Sequence, residues 1–208
     1  MILHGYFRSS ATWRVRIALN LKGLSYEGVF HHLRRGEQRD PAYLLLNPQG
    51  LVPALVLDDG AVLTQSLAII EYLEELFPNP ALLPVDLKTR AKVRAVALAV
   101  AADIHPLQNL KVLKQLELRG DKDTASWARI FTENGLEAVD ILVRDTPGPF
   151  CFGSAPTLAD VCLVPQLFNA RRFGVDVAAW PRLLRIEESC CALDAFERAR
   201  PEQQPDAE

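Results

Sequence analysis

The chain has 208 residues, 49% hydrophobic and 24% charged, the composition of a globular protein of one or two domains. Its formal net charge of -3, from 23 Lys+Arg against 26 Asp+Glu, lacks the basic surplus that advertises nucleic-acid or anionic-membrane binding. The longest apolar run, Ala95 to Ala102, is too short for a bilayer, and no charged region followed by an apolar one opens the chain, so a cytoplasmic protein with no membrane partner is expected.

The first part alternates short strand and helix patterns. Met1 to Tyr6 reads as a strand. Ala11 to Leu21 carries a helical apolar stripe, Val15, Ala18, Leu19 and Leu21, and stops at Lys22-Gly23. Tyr26 to His31 is a second strand and Asp40 to Leu46 a short helical turn. Val52 to Leu57 is a strand with Pro53 near its start, turned by Asp58-Asp59-Gly60 into a returning strand, Ala61 to Thr64. Ser66 is placed to N-cap a helix running to about Phe77. The order β-α-β-α-β-β-α predicts an α/β domain over residues 1–79.

Pro78-Asn79-Pro80 and Pro84 mark a linker over 80–86. From 87 to 208 the pattern is all helical. Leu87 to Gln115 is long and alanine-rich with a kink expected at Pro106, and Thr124 to Arg144 is a second long helix. Thr157-Leu158-Ala159-Asp160 has capping-box spacing with Asp in place of Glu or Gln. Arg182 to Ala199 is the last helix, and Arg200 to Glu208 reads as a frayed tail. Cys151, Cys162, Cys190 and Cys191 form no C-x-x-C pair and make no metal spacing with His4, His31, His32 or His105, so free thiols in a reducing compartment and no metal are expected.

Several stretches carry polar residues beyond what a core needs. Arg8, Ser9, Ser10 and Thr12 crowd the start of the first helix. Plain N-capping accounts for hydroxyls there, but free N–H groups and the helix dipole also favour an anion. Lowering a thiol pKa by two units from about 8.5 takes about 2.7 kcal/mol. A helix start gives about 0.3–1 kcal/mol, at most about 2, and a hydrogen bond to a charged acceptor about 1.5–3. Together they suffice to ionise a thiol, and since Ala11 supplies none, the thiol has to arrive on a ligand. Pro53 suits an edge strand or a cis peptide presenting its neighbour's backbone to a bound peptide. Gln65-Ser66 suits a cap or a carboxylate clamp. His105, Gln108 and Asn109, beside Pro106, suit a buried network or a ligand site, and Arg171-Arg172 suits an exposed pair or a binding one.

Taken together, these stretches resemble the zeta class of cytosolic glutathione transferases, the maleylacetoacetate isomerase family. The likeness rests on Ser9 to Leu19 (SSATWRVRIAL), Asn47-Pro48 with Val52-Pro53, Gln65 to Glu75, Pro106 to Leu110, Leu158 to Gln166, and Gln204-Pro205-Asp206. It implies a thioredoxin-like N-terminal domain, an all-α C-terminal domain, a homodimer, and glutathione as cofactor. It further implies Ser9 as the hydroxyl stabilising the thiolate, with Ser10 and Ala11 lining the helix start. Val52 before cis-Pro53 meets the cysteinyl backbone, and Gln65 and Ser66 hold the γ-glutamyl carboxylate. Gln38, His105, Gln108 and Asn109 are further contacts, and Arg8 and Arg172 hold the acid groups of the substrate. The implied reaction is cis–trans isomerisation of a small cis dicarboxylic keto acid, by thiolate addition, bond rotation and elimination. The family pattern has Cys where this chain has Ala11, which removes mixed-disulfide chemistry and leaves the choice between maleylacetoacetate and maleylpyruvate open. A general glutathione transferase or peroxidase, and a non-catalytic interaction module of the same fold, are the alternatives.

Overall fold

The computed structural model describes all residues, Met1–Glu208, and the chain divides into two compact units: Met1–Ala81 with Ala192–Glu208, and Leu82–Cys191. In the first unit, β1 (Ile2–Gly5) leads through α1 (Ser10–Leu21) to β2 (Glu27–Phe30), and α2 (Pro41–Leu46) precedes β3 (Ala54–Val56), β4 (Val62–Thr64) and α3 (Ser66–Leu76). The sheet order is β2-β1-β3-β4. β1 and β2 are parallel, as a helical crossover requires, while β3 runs antiparallel to β1 and to β4. This is the expected thioredoxin-like arrangement, with the Asp58–Gly60 turn joining β3 to β4.

α1 is held at both ends by local chemistry. Ser9 N-caps it, and Gly23, at φ +65, takes the left-handed position just past its end, where Leu24 N–H reaches back to the Leu19 carbonyl at 2.9 Å. The expected apolar stripe is buried, but so is most of the rest of the helix, Arg14 and Arg16 included. Close approach explains Gly5: a Cβ there would lie 2.3 Å from Thr12 Cγ2, so β1 and α1 meet at a distance only glycine permits. Lys22 ends the helix with its ammonium fully buried, donating to Glu74 at 2.7 Å and to the Phe77 and Pro80 carbonyls at 2.6 and 3.1 Å.

Two expectations about this unit are corrected. The N-cap of α3 is Gln65, not Ser66; Gln65 holds φ +69, and Ser66 is the first helical residue, buried, with its Oγ 3.4 Å from Arg14 Nη1. The last residues are not a frayed tail, nor are they part of the helical unit. A short helix α9 (Asp194–Glu197) buries Phe196, Ala199 and Pro201 are also buried, and the segment returns to the first unit. The physical reason is polar. Asn20 Nδ2 donates to the Ala195 carbonyl at 3.0 Å, and the buried Arg16 donates Nε to the Ala199 carbonyl at 3.0 Å.

The second unit is all helical: α4 (Leu87–Leu98), α5 (Leu110–Leu118), α6 (Thr124–Leu142), α7 (Leu158–Arg172) and α8 (Pro181–Cys191). The single long helix expected over Leu87 to Gln115 is divided. A π-helical stretch, Ala99–Ile104, passes into a 3₁₀ turn, His105–Gln108, and α5 restarts at its N-cap Asn109. Pro106 explains the break, because it has no N–H for a helical bond and its ring crowds the preceding turn. α7 is buried along nearly its whole length. Its capping box forms as expected: Asp160 accepts Thr157 N–H and Oγ–H, both at 2.8 Å, and also Cys151 N–H at 2.8 Å. The four cysteines are free. No helix is long and apolar enough to cross a membrane.

Candidate active site

In the first unit the candidate residues gather where three backbone features end. The first is the turn between β1 and α1. Ser9 N–H donates to the Tyr6 carbonyl at 3.0 Å, closing a four-residue turn, and the Ser9 carbonyl starts the helix by accepting Trp13 N–H at 2.8 Å. Ser9 Oγ accepts Thr12 N–H at 3.2 Å. The hydroxyl therefore acts as acceptor toward its own helix and keeps its proton for a further acceptor. Ser9 is half-buried, Ser10 buried, and Ala11 partly exposed beside them. Arg8 projects from the same turn. Its guanidinium lies 5.3 Å from the Phe7 ring and 6.0 Å from the Tyr6 ring, with Nη2 3.4 Å from Tyr6 Oη, and it meets no carboxylate. A cation seated on aromatic faces keeps its hydrogen-bonding edge for an anion.

The second feature is the stretch before β3. Val52–Pro53 is a cis peptide, as expected. The preceding Leu51 carbonyl is held twice, by Tyr43 Oη at 2.6 Å and Asn47 Nδ2 at 2.7 Å. Burial pushes the Tyr43 phenol up to about 12, so it remains a donor across the ordinary pH range. Val52 makes no backbone hydrogen bond of its own, which leaves its N–H and carbonyl for an extended partner. Nearby Gln38 lies in a 3₁₀ turn, Glu37–Arg39, and its Oε1 is buried without a partner. An orphaned buried acceptor of this kind costs about 1–3 kcal/mol unless a ligand donates to it.

The third feature is the start of α3. The positive φ of Gln65 is unusual for a residue with a side chain and costs about 1–3 kcal/mol. Gln65 Nε2 donates to Gln49 Oε1 at 2.8 Å. Ser66 follows with its N–H at the positive end of the α3 dipole. The arrangement offers three things: a hydroxyl donor at one helix start, an unpaired backbone edge at a cis-proline, and a strained helix start for a carboxylate. Such a set fits a short, anionic, thiol-bearing peptide, with Gln38 Oε1 as a ready acceptor for one of its N–H groups. Gln49 is a member of this group that sequence reasoning missed, because nothing marks it off from other loop glutamines.

The helical unit holds the remaining candidates. His105 opens the 3₁₀ turn and is half-buried. Asn109 uses its Oδ1 to cap Lys111 N–H at 3.1 Å. Gln108 is buried, with Nε2 donating to Gln166 at 2.8 Å and Oε1 3.3 Å from Thr132 Oγ, whose one proton is shared with the Ala128 carbonyl at 2.7 Å. It is the one candidate with both polar ends engaged inside its own unit, as the buried-network alternative requires. Arg172, at the last turn of α7, is exposed and donates to Asn169 Oδ1 at 2.7 Å, while its neighbour Arg171 pairs with Glu187.

Comparisons with known proteins identify the family and the fold. Residues 8–76 match the glutathione S-transferase N-terminal domain and residues 111–186 the glutathione S-transferase C-terminal domain. A maleylacetoacetate isomerase of Pseudomonas aeruginosa is 51% identical, over 99% of this chain and 98% of its own. The holo structure of a maleylpyruvate isomerase, a bacterial zeta-class glutathione S-transferase, superimposes with a TM-score of 0.97 at 44% identity, covering 100% of both chains. A maleylacetoacetate isomerase of Anaeromyxobacter dehalogenans, solved with glutathione in its active site, gives a TM-score of 0.92 at 48% identity over 100% of this chain and 97% of its own.

Proposed function

Since the chain belongs to the maleylacetoacetate isomerase family of zeta-class glutathione transferases, we propose that it is a glutathione-dependent cis–trans isomerase of maleylacetoacetate or the related maleylpyruvate. The observation that carries this reading is the Ser9 hydroxyl, which accepts from Thr12 N–H and so has its own proton to give at the start of α1. Glutathione, when bound, contributes the thiolate whose reversible addition to the cis double bond allows rotation.

The chain's residues do the rest. Ser9 donates to the sulfur and, with the α1 dipole, favours its ionised form. Ser10 and Ala11 line the helix start around it. Val52, fixed by Leu51 and followed by cis-Pro53, offers its backbone edge to the peptide part. Gln65 and Ser66 hold the γ-glutamyl carboxylate. Gln38 accepts a peptide N–H, and His105, Gln108 and Asn109 are assigned to the cofactor side less directly, from the helical unit. Arg8 and Arg172 pair with the substrate's acid groups, and a cation near the substrate also favours the enolate charge that develops as the double bond is attacked. In this reading the protein works in the cytoplasm as a homodimer.

The test is a direct comparison of both cis keto acids with and without glutathione. Turnover of at least one, wholly dependent on glutathione, is expected. Robust conjugation of aryl halides or reduction of hydroperoxides, with no isomerisation of either keto acid, would overturn the reading in favour of a detoxifying transferase.

A further inference from the structure

The turn that carries Arg8 and Ser9 is held from outside as well as from within. Its own closure is the Ser9 N–H to Tyr6 carbonyl bond. That leaves the Phe7 amide and the Phe7 carbonyl, at the turn's centre, without local partners. The amide is taken by Asp206, from the far end of the chain, and the carbonyl by Arg16, within the following helix. Asp206 Oδ2 accepts Phe7 N–H at 2.8 Å. Arg16 Nη2 donates to the Phe7 carbonyl at 2.8 Å, with Nη1 3.5 Å from the Tyr6 carbonyl. Arg16 in turn holds the Ala199 carbonyl through Nε, so one guanidinium ties the turn to the segment that bears Asp206.

Asp206 is not placed for stability alone. Its second oxygen, Oδ1, is buried without a hydrogen-bond partner, an arrangement that disfavours the folded state. Gln204 and Pro205, just before Asp206, border a cavity of about 210 Å³ that also touches Gly5, Thr12 and Arg16. Gln204 Nε2 folds the tail locally, donating to the Arg198 and Arg200 carbonyls at 2.9 and 2.8 Å, and polar contacts anchor it beyond: Phe7 N–H on Asp206, and the far end on His32 and Arg35, which lie 2.8 and 3.7 Å from Glu208 Oε1. Burial lowers the Arg16 pKa to about 10, while the nearby charge of Asp206 acts to keep the guanidinium protonated. The carboxylate at 206 therefore serves the Phe7 amide directly, while Arg16 holds the Phe7 carbonyl.

We infer that Asp206 is a positioning residue for the active-site turn: by fixing the Phe7 amide opposite the carbonyl that Arg16 holds, it sets where the Ser9 hydroxyl and the Arg8 guanidinium stand. This rests on the assignment of Ser9 as donor to the glutathione sulfur. The Phe7 side chain is buried with Tyr6, Tyr43, Val52 and Ala54, and the polar contacts set the tilt of its backbone; a hydrogen bond to a thiolate weakens steeply with misalignment, so a small tilt at Phe7 reads out at Ser9.

The experiment titrates the thiol of bound glutathione by its thiolate absorbance in the full-length protein, alongside kcat, KM and thermal midpoint. In Asp206→Ala the bound-thiol pKa is expected to rise by about one unit and kcat to fall roughly 10-fold, with the dissociation constant for glutathione changed less than about 3-fold. Asp206→Asn keeps an oxygen for the Phe7 amide and is expected to restore most of both values. Asn20→Ala loosens the same segment at Ala195, away from the turn, and is expected to lower the thermal midpoint and leave the thiol pKa unchanged. Wild-type thiol pKa and kcat in folded Asp206→Ala overturn the inference. If that variant does not fold, Asp206→Asn decides: a large fall in kcat at an unchanged thiol pKa overturns it equally. Ser9→Ala separates the two layers. If Ser9→Ala leaves the thiol pKa untouched, the underlying assignment fails; if Ser9→Ala moves it and Asp206→Ala does not, only the positioning role fails.

Discussion

Ser9 and Thr12 are joined by one hydrogen bond, Thr12 N–H to Ser9 Oγ at 3.2 Å, and its direction settles what the hydroxyl can do next. As an acceptor toward the helix, Ser9 keeps its own proton, and the proposed function gives that proton to the glutathione sulfur. Ser9→Ala is therefore expected to lose two things. Loss of the cap costs about 1 kcal/mol of stability, visible as a lower urea midpoint. Loss of the donor raises the bound-thiol pKa and lowers kcat by about 10²-fold or more. Ser9→Thr, which keeps the hydroxyl, restores the cap and part of the activity.

Arg8 rests on Tyr6 and Phe7 and has no carboxylate partner within the fold. Arg8→Ala is expected to leave glutathione affinity nearly unchanged and to lower kcat/KM for the keto acid by about 10- to 100-fold, the cost of a charge-assisted pair. Arg8→Lys recovers little, because an ammonium cannot match a carboxylate with two parallel bonds. Calorimetry for glutathione beside initial rates for the keto acid distinguishes these effects.

Lys22 is a buried ammonium tied to Glu74 and to two carbonyls past the end of α3. Lys22→Ala removes this buried ammonium from Glu74 and from both carbonyls and is expected to cost about 3–5 kcal/mol in chemical denaturation. The double variant Lys22→Met, Glu74→Gln, which removes both charges, is expected to recover part of the loss.

His4 and His31 face each other at 2.9 Å between ring nitrogens. Burial lowers both pKa values; the neighbouring His31 lowers that of His4 further, while Glu37 and Asp40 partly restore that of His31. Unfolding releases two imidazoles with the ordinary value near 6.5, so below that pH the unfolded chain binds more protons than the folded one. Stability from this pair is then complete above about pH 6.5 and declines as the pH falls through the window below it. Denaturation midpoints at pH 7.5 and 5.5 are expected to differ more in the wild type than in His4→Gln.

Gln108 bonds to Gln166 and Thr132 inside the helical unit. If its role is that network, Gln108→Ala lowers stability by about 1–3 kcal/mol and changes glutathione affinity less than about 3-fold. A large loss of affinity in a stable variant assigns it to the cofactor instead.

What could be read from the residues alone follows from how local the determinants are. β1, α1 and the β3–β4 hairpin are written in neighbouring positions, a cap at Ser9, a left-handed Gly23 and the Asp58–Gly60 turn, and each appears within a residue or two of its expected place. The residues alone left Val52–Pro53 between an edge strand and a cis peptide, and the family resemblance implied the cis form that the structure has. The α3 cap was misplaced because capping propensity favours Ser66, whereas the fold holds Gln65 in a conformation that propensity penalises. Arg14 and Arg16 belong to the polar side of a stripe by pattern, yet tertiary partners bury both. Asp206 was invisible for the opposite reason: a polar tail looks unstructured until Phe7 and Arg16, nearly two hundred positions away, give it work.

The return of residues 192–208 to the first unit has a consequence for the order in which the chain acquires its shape. Residues 1–81 leave the ribosome early, and the whole of Leu82–Cys191 is made before α9 and Asp206 emerge. At about 5–20 residues per second, the β1–α1 turn waits on the order of ten seconds for its last two anchors. During that wait the Phe7 amide and Arg16 Nε, which end on Asp206 and the Ala199 carbonyl, have only water for partners. The nascent protein therefore carries the Ser9 hydroxyl from the start of synthesis, but its aim is set last.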